Sequence, residues 1–454
     1  MEPTAPPRFV PPTPPRPESP LPLRAFLRTV RTNALMIWPQ DAYRRDITQR
    51  RFLGRNNLLL NAPDAIHHVL VANPGNYRRT PASIRILRPI TGKGLLLSEG
   101  ESWRLQRRTI APALAPRVLP TLSPHIATAT RAAVGMMDPT APVDLLAAMQ
   151  GLALDIAGRT MFSLEMRAHG QAMRRMLTEF AVSHARPRLL DLLLPPSIPT
   201  FRDLGRRRFQ TRWMGLIETI MRPRLSEPVP DQPRDLFDLL RAARDPETGA
   251  GFSDTELRDQ VATMILAGHE TTAVALFWTL TLLAQSPAHQ DLVAREVAGL
   301  DLSPANAHAA LAGLPITRAV INESLRLFPP AFTIVREATG PDRIGDIAIR
   351  RNDVIMIAPW VLHRHEGYWT DPDAFDPTRF LPDAPPPPRF AYLPFGAGPR
   401  ICVGAQFALT EAAIALATLV QAFSIRLAED RPVLPTAVVT TQPDHAPLFR
   451  VMRR

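Results

Sequence analysis

Two short stretches of this sequence hold residues whose types and spacing could do chemistry. The first is Phe395-Gly396-Ala397-Gly398-Pro399-Arg400-Ile401-Cys402-Val403-Gly404, which contains the only cysteine of the 454 residues. Cys402 therefore has no internal disulfide partner. The glycines permit tight turns and close approach that a side chain would block. The run from Ala405 toward Phe423 is apolar and rich in helix formers. A sulfur where a loop enters a helix meets free N–H groups and the positive helix end, which favour thiolate over thiol, and Arg400 adds a nearby cation. Read alone, a lone cysteine is also a common buried core residue. The second stretch is Ala267-Gly268-His269-Glu270-Thr271-Thr272, in the middle of a long apolar pattern. Gly268 weakens a helix, and the Thr271 hydroxyl can take over a backbone hydrogen bond and open a local groove. A carboxyl beside a hydroxyl in such surroundings is costly unless it is paired or used. The plain alternative is a polar stripe or a satisfied buried pair.

The first stretch resembles the haem-binding signature of the cytochrome P450 family, Phe-x-x-Gly-x-Arg-x-Cys-x-Gly, at every defined position. Thiolate pushes electron density onto haem iron and favours O–O cleavage, and the loop amides can tune the sulfur. The resemblance implies haem b (iron protoporphyrin IX) with Cys402 as axial iron ligand and Phe395, Gly396 and Gly404 shaping the loop around it. The second stretch is similar to the family's Ala/Gly-Gly-x-Asp/Glu-Thr motif, on a helix that crosses the distal haem face. By that resemblance Thr271 would hold dioxygen and water and Glu270 would help relay protons, while Ala267 faces haem and substrate. His269 reads as a packing or network residue, not an iron ligand.

Two further motifs follow in the family's order. Glu323-Ser324-Leu325-Arg326 places Glu323 and Arg326 on one helical face, and Asp376-Pro377-Thr378-Arg379-Phe380 resembles the family's meander. Glu323, Arg326 and Arg379 would form its buried triad, a structural lock behind the cysteine loop. Trp103 and Arg107, four apart on one face, look like the family's Trp-x-x-x-Arg pair that holds a haem propionate. Arg336, by its spacing from Arg326, and Arg400 complete the candidates for the two propionates. His363 is expected behind the haem contacts.

These residues need elements to position them. Ser253 with Glu256 reads as a capping box, opening a helix that runs to about Leu283, some 30 residues and roughly 45 Å. Periodicity predicts helices over 25–36, from Asp64 as cap to Val71, over 101–114, through most of 120–285 and over 316–328. Strands are expected at 57–61 and 354–357, and extended chain over 331–335. Residues 77–97 read as irregular and apolar. Breaks are expected at 193–199 and 223–233. In the family the 170–222 region forms a mobile lid over the substrate channel. Residues 1–24 form a proline-rich lead, expected to be extended or disordered, and 25–454 one catalytic domain. The fold expected is mainly α: the helical prism of the family with small β-sheets.

Composition is that of an ordinary globular chain, 45% hydrophobic and 21% charged. The net charge of +11 comes from scattered arginines, Lys93 being the only lysine. No nucleic-acid motif accompanies them, so no nucleic-acid partner is expected; a basic face for an acidic electron donor suits the charge better. No stretch offers the roughly 18 uncharged apolar residues of a membrane span, since 261–284 carries His269 and Glu270. With no signal peptide visible, the expectation is a cytoplasmic monomer without an integral membrane segment. The resemblance, from about residue 30 onward, includes neither a fused flavin reductase nor an anchor helix. It implies an O2-dependent monooxygenase that hydroxylates or epoxidises a hydrophobic substrate (lipid, terpenoid or aromatic), with electrons from a separate NAD(P)H-driven ferredoxin or flavodoxin system. Pocket walls are expected at 84–90, 170–200, Ala267, Thr271, 333–335 and 438–442. Two rival readings are a peroxide-driven or hydroperoxide-rearranging member, against which the Glu270–Thr271 pair argues, and a haem-binding gas sensor.

Overall fold

The 32-residue helix Asp254–Gln285 crosses the molecule, and its middle lies in the core from almost every side. In the computed structural model, which describes residues 9–454 except 53, 165–168, 187, 189, 192, 193 and 195–197, this helix starts as its sequence requires. Ser253 Oγ accepts from the Glu256 amide, and the Glu256 carboxylate accepts from the Ser253 amide at 3.0 Å. A helix apolar all round belongs inside a protein. This one packs against Leu145–Phe162 and against Ala405–Ala422, the helix that follows the cysteine loop. Trp278 stacks on Phe328 with ring centroids 4.2 Å apart, joining it to the helix Pro315–Leu327.

The β structure is small and peripheral. A five-stranded sheet runs in the order Ile47–Phe52, Arg55–Leu60, Val354–Ile357, Ile334–Ala338, Tyr77–Arg78; only the second and third strands are parallel. Its fourth strand carries Arg336 toward the site. Pro435–Ala437 pairs with Thr441–Pro443 as a C-terminal hairpin. The three-stranded sheet joins Val143–Asp144, Leu448–Arg453 and Phe423–Leu427, and Asp342–Ile344 pairs with Ile347–Ile349.

Several local readings change. Residues 77–97, expected to be irregular, contain a helix, Pro81–Thr91. Thr80 caps it by accepting from the Ser83 amide at 3.3 Å, Pro81 takes its first position, and Gly92 ends it at φ +58°. Thr-Pro at one end and Gly at the other were its signals, masked by the isoleucines. Asp64 is not a cap: Ala62 precedes Pro63, and Asp64 sits in the first turn, where the helix end favours its charge. The helix Phe201–Leu225 runs through Pro223 rather than stopping there, because Arg224 is drawn into Asp235 and Asp238 at 2.8 and 2.7 Å. The expected break at 193–199 lies mostly outside the described residues.

The described part of the proline-rich lead is extended and held to the body. Phe9 pairs with Phe375 and packs on its ring, Arg16 donates to Asp373 at 2.6 Å, and the same guanidinium lies 3.9 Å over Tyr43. Two helices, Asp254–Gln285 and Ala405–Ala422, are long and apolar enough to cross a membrane by length and composition, but 72% and 61% of those windows are buried inside the fold.

Candidate functional site

The cysteine loop is closed by its own backbone: the Cys402 amide donates to the Phe395 carbonyl at 2.9 Å and the Ile401 amide to the Gly398 carbonyl at 3.0 Å. Gly396 and Gly398 have φ of +72° and +70°. At Gly398 a Cβ would also overlap the Leu70 carbonyl, so the loop rests directly on the turn His68–Ala72. Gly404 differs. Its φ is −94°, and a Cβ there would meet no atom within 4 Å. Nothing in the polypeptide requires that glycine; it leaves a clear face beside the sulfur.

Burial pushes the Cys402 thiol above its usual range, with the Gly404 amide and the Arg107 guanidinium pulling the other way. The loop amide and the cation act in the expected direction, toward thiolate, against this desolvation of the charged form. Cys402 is nevertheless accessible rather than packed into the core. Sulfur in that position becomes a thiolate when a metal cation binds it. Among the described residues no group of three or more His, Cys, Asp or Glu side chains could hold a metal ion. A metal on Cys402 must therefore bring its other ligands, as a porphyrin iron does.

Arginines converge beside the loop with too little negative charge to match them. Arg400 bonds the Glu99 carboxylate, donates to the Ser98 carbonyl at 3.1 Å and lies 4.5 Å over the Trp103 ring. Arg336 is buried, and burial with the Arg400 charge lowers its pKa to about 10. Arg79, which the sequence reading passed over, is lowered to about 9 by burial and by both Arg336 and Arg400. Its Nε is buried with no partner. Glu99, which accepts from the Arg79 amide at 3.2 Å, is the one acid acting on all three. Such a cluster is suited to further carboxylates, and haem carries two propionates. Arg107 meets the loop itself, donating to the Ile401 carbonyl at 2.8 Å.

On the central helix Ala267 is exposed and Gly268, Glu270 and Thr271 half-buried, although the residues around them are buried. The Thr271 hydroxyl donates to the Ala267 carbonyl, which leaves its oxygen free to accept. Glu270 is held elsewhere, by Thr440 at 2.8 Å and Gln442 at 3.1 Å. His269 is on the buried face beside the Gln150 backbone, and burial lowers its pKa to about 4. Thr272 donates to Glu411 Oε2 at 3.3 Å, and burial pushes that carboxyl up to about 8.

Glu323 and Arg326 are wholly buried and joined by bonds of 2.7 and 2.8 Å. Arg326 also donates to the carbonyls of His363, Pro372 and Ala374, and Glu323 accepts from the Asp376 amide at 2.8 Å. Arg379 Nε lies 3.6 Å from Glu323. His363 is a strut: Nε2 accepts from the Leu393 amide at 2.8 Å, so Nδ1 carries the proton toward the Arg326 carbonyl, and burial lowers its pKa to about 3.

An α-helical prism with one cysteine in a glycine loop below a buried helix defines a haem-thiolate protein. The chain belongs to the cytochrome P450 family, whose profile matches residues 15–446. It is 32% identical to "Cyclooctatin synthase" of Streptomyces melanosporofaciens over 84% of this chain and 83% of that one. It is also 32% identical to "Cyclooctat-9-en-7-ol 5-monooxygenase" of the same organism, over 75% and 74%. The crystal structure of a mutant cytochrome P450DA heme domain superposes with a TM-score of 0.81 at 25% identity, covering 98% of both chains. The protein is an enzyme of the monooxygenase class.

Proposed function

We propose that the protein uses haem b to hydroxylate or epoxidise a terpenoid-like hydrophobic substrate, with electrons from a separate NAD(P)H-driven ferredoxin or flavodoxin system, as a cytoplasmic monomer. The observation that carries this is the pairing of Cys402 and the clear face of Gly404 with the under-compensated cluster of Arg79, Arg336 and Arg400. The relatives named for cyclooctatin chemistry support the terpenoid class.

Bound haem supplies the oxidising chemistry. The residues supply binding, orientation and protons. Cys402 would offer Sγ to the iron, and Trp103, Arg336 and Arg400, joined by Arg79, would hold the propionates, with Arg107 bracing the loop. Phe395 and Gly396 hold the loop in its turn. Ala267 would leave room beside the bound group, the Thr271 oxygen would accept a hydrogen bond on that face, and Glu270 would pass protons toward it. Glu323, Arg326 and Arg379 lock the meander behind the loop.

The deciding experiment is the spectrum of the dithionite-reduced protein with and without carbon monoxide, followed by spectral titration with a panel of cyclic diterpenoids. A strongly red-shifted carbonyl band and a substrate-induced spin shift are expected. A carbonyl band at the position of histidine-ligated haem, or no haem in folded protein, refutes the assignment. Turnover on peroxide with none on NAD(P)H would return the peroxide-driven reading.

A further inference from the structure

The acid of the central helix is gripped by residues 170 and 172 positions away. Thr440 Oγ1 donates to Glu270 Oε1 at 2.8 Å, and Gln442 Nε2 donates to the same oxygen at 3.1 Å and to Thr440 Oγ1 at 3.0 Å. Thr440 is buried. These three side chains close a triangle in which Gln442 also orients the Thr440 hydroxyl that Glu270 accepts from. The hairpin around them is anchored on both sides. Trp278 Nε1 donates to the Thr441 carbonyl at 2.7 Å, and Thr441 Oγ1 donates to the Pro329 carbonyl at 2.6 Å. Among the described residues no hydrogen bond joins Glu270 to Thr271, whose hydroxyl goes to Ala267. Both donors on Glu270 are neutral amide or hydroxyl groups, so they fix its direction without pairing it to a cation. The same hairpin, 438–442, is where a wall of the substrate pocket is expected.

We propose that Thr440 and Gln442 are positioning residues for Glu270: they tie its carboxyl group to the C-terminal hairpin and so set the direction from which it can pass a proton. The proposal rests on the reading in which Glu270 passes protons toward Thr271. It adds that the direction of proton supply depends on these two side chains of the hairpin.

The test uses the haem-loaded full chain as native protein, Glu270→Gln, the double variant Thr440→Val with Gln442→Leu, Thr440→Val alone in case the double variant does not fold, and Thr440→Ser. Three quantities are read. One is the infrared carboxylate band of Glu270, isolated by difference against Glu270→Gln. Another is the affinity for 4-phenylimidazole as a distal-side probe. The last is the ratio of hydrogen peroxide to water formed when NADPH, a surrogate ferredoxin and its reductase supply electrons. In the valine–leucine variant the band shifts and the peroxide-to-water ratio rises about tenfold, the scale of one lost hydrogen bond to a charged group. The 4-phenylimidazole affinity stays within about twofold, as expected where no large mechanism of destabilisation operates. Thr440→Ser, which keeps the hydroxyl, restores both band and ratio. An unshifted band and native ratio in the valine variants, with a raised ratio in Glu270→Gln, overturn the proposal and leave the role of Glu270 standing. A native ratio in Glu270→Gln removes that role and the proposal with it.

Discussion

Replacing Glu411 by glutamine should stabilise the protein, and by more as the pH rises. Glu411 lies on the helix after the cysteine loop, is 2% exposed, and makes one 3.3 Å bond, from Thr272. Burial pushes its carboxyl from the ordinary 4.5 up to about 8. Below pH 4.5 the folded and unfolded chains both hold the proton, and Glu411 has no pH-dependent effect. Between 4.5 and 8 the unfolded chain releases it while the folded chain keeps it. Stability therefore falls by about 1.4 kcal/mol per pH unit, and the fall ends near pH 8. At pH 7 the accumulated loss is about 3 kcal/mol. Glutamine has the same shape, can still accept from Thr272, and does not titrate. Urea midpoints of both chains measured from pH 5 to 8, each pair at one pH, give a difference in which every other group cancels. The glutamine chain should gain steadily across that range. A difference that stays flat would mean that Glu411 ionises at its ordinary pH inside the fold, and would refute the desolvation argument.

Three other outcomes can be checked separately. Gly398→Ala, which combines a φ of +70° with overlap on the Leu70 carbonyl, should cost on the order of 3 kcal/mol of stability. Gly404→Ala, with φ −94° and open space, should cost less than about 1 kcal/mol and show its effect in haem retention; equal denaturation midpoints for the two variants would defeat the distinction. Arg79→Leu should release haem to a scavenging apoglobin about 10- to 100-fold faster, the value of one charged hydrogen bond, and a native release rate would remove Arg79 from the cluster. Glu323→Ala should lose about 3–5 kcal/mol by stranding the buried Arg326, read by urea denaturation.

What could be read from the sequence was local. The cysteine loop, the Ser253–Glu256 box, the strand Val354–Ile357 and the Glu323–Arg326 pair each have their determinants within about ten residues, so spacing alone exposed them. The helix Pro81–Thr91 was hidden because its isoleucines also suit extended chain. Long-range convergence was not legible. Nothing marks Arg79 until the fold brings it beside Arg336 and Arg400, and nothing in the Glu270–Thr271 motif shows that Thr440 and Gln442 hold the acid. The surroundings of the Cys402 thiol were only half legible for a related reason: helix-end and cation effects can be seen in sequence, whereas desolvation depends on everything packed around the sulfur.

The strap formed by residues 9–22 imposes an order on assembly. Its ion pair, Arg16 with Asp373, spans 357 positions, and Phe9 closes on Phe375. Chains made from the N-terminus at about 5–20 residues per second expose Arg16 for tens of seconds before its partner exists. When Asp373 does appear, it arrives in the same segment that Glu323 and Arg326 have to collect. The strap therefore cannot close until the segment around Asp373 and Phe375 has been made, long after residues 9–22 themselves.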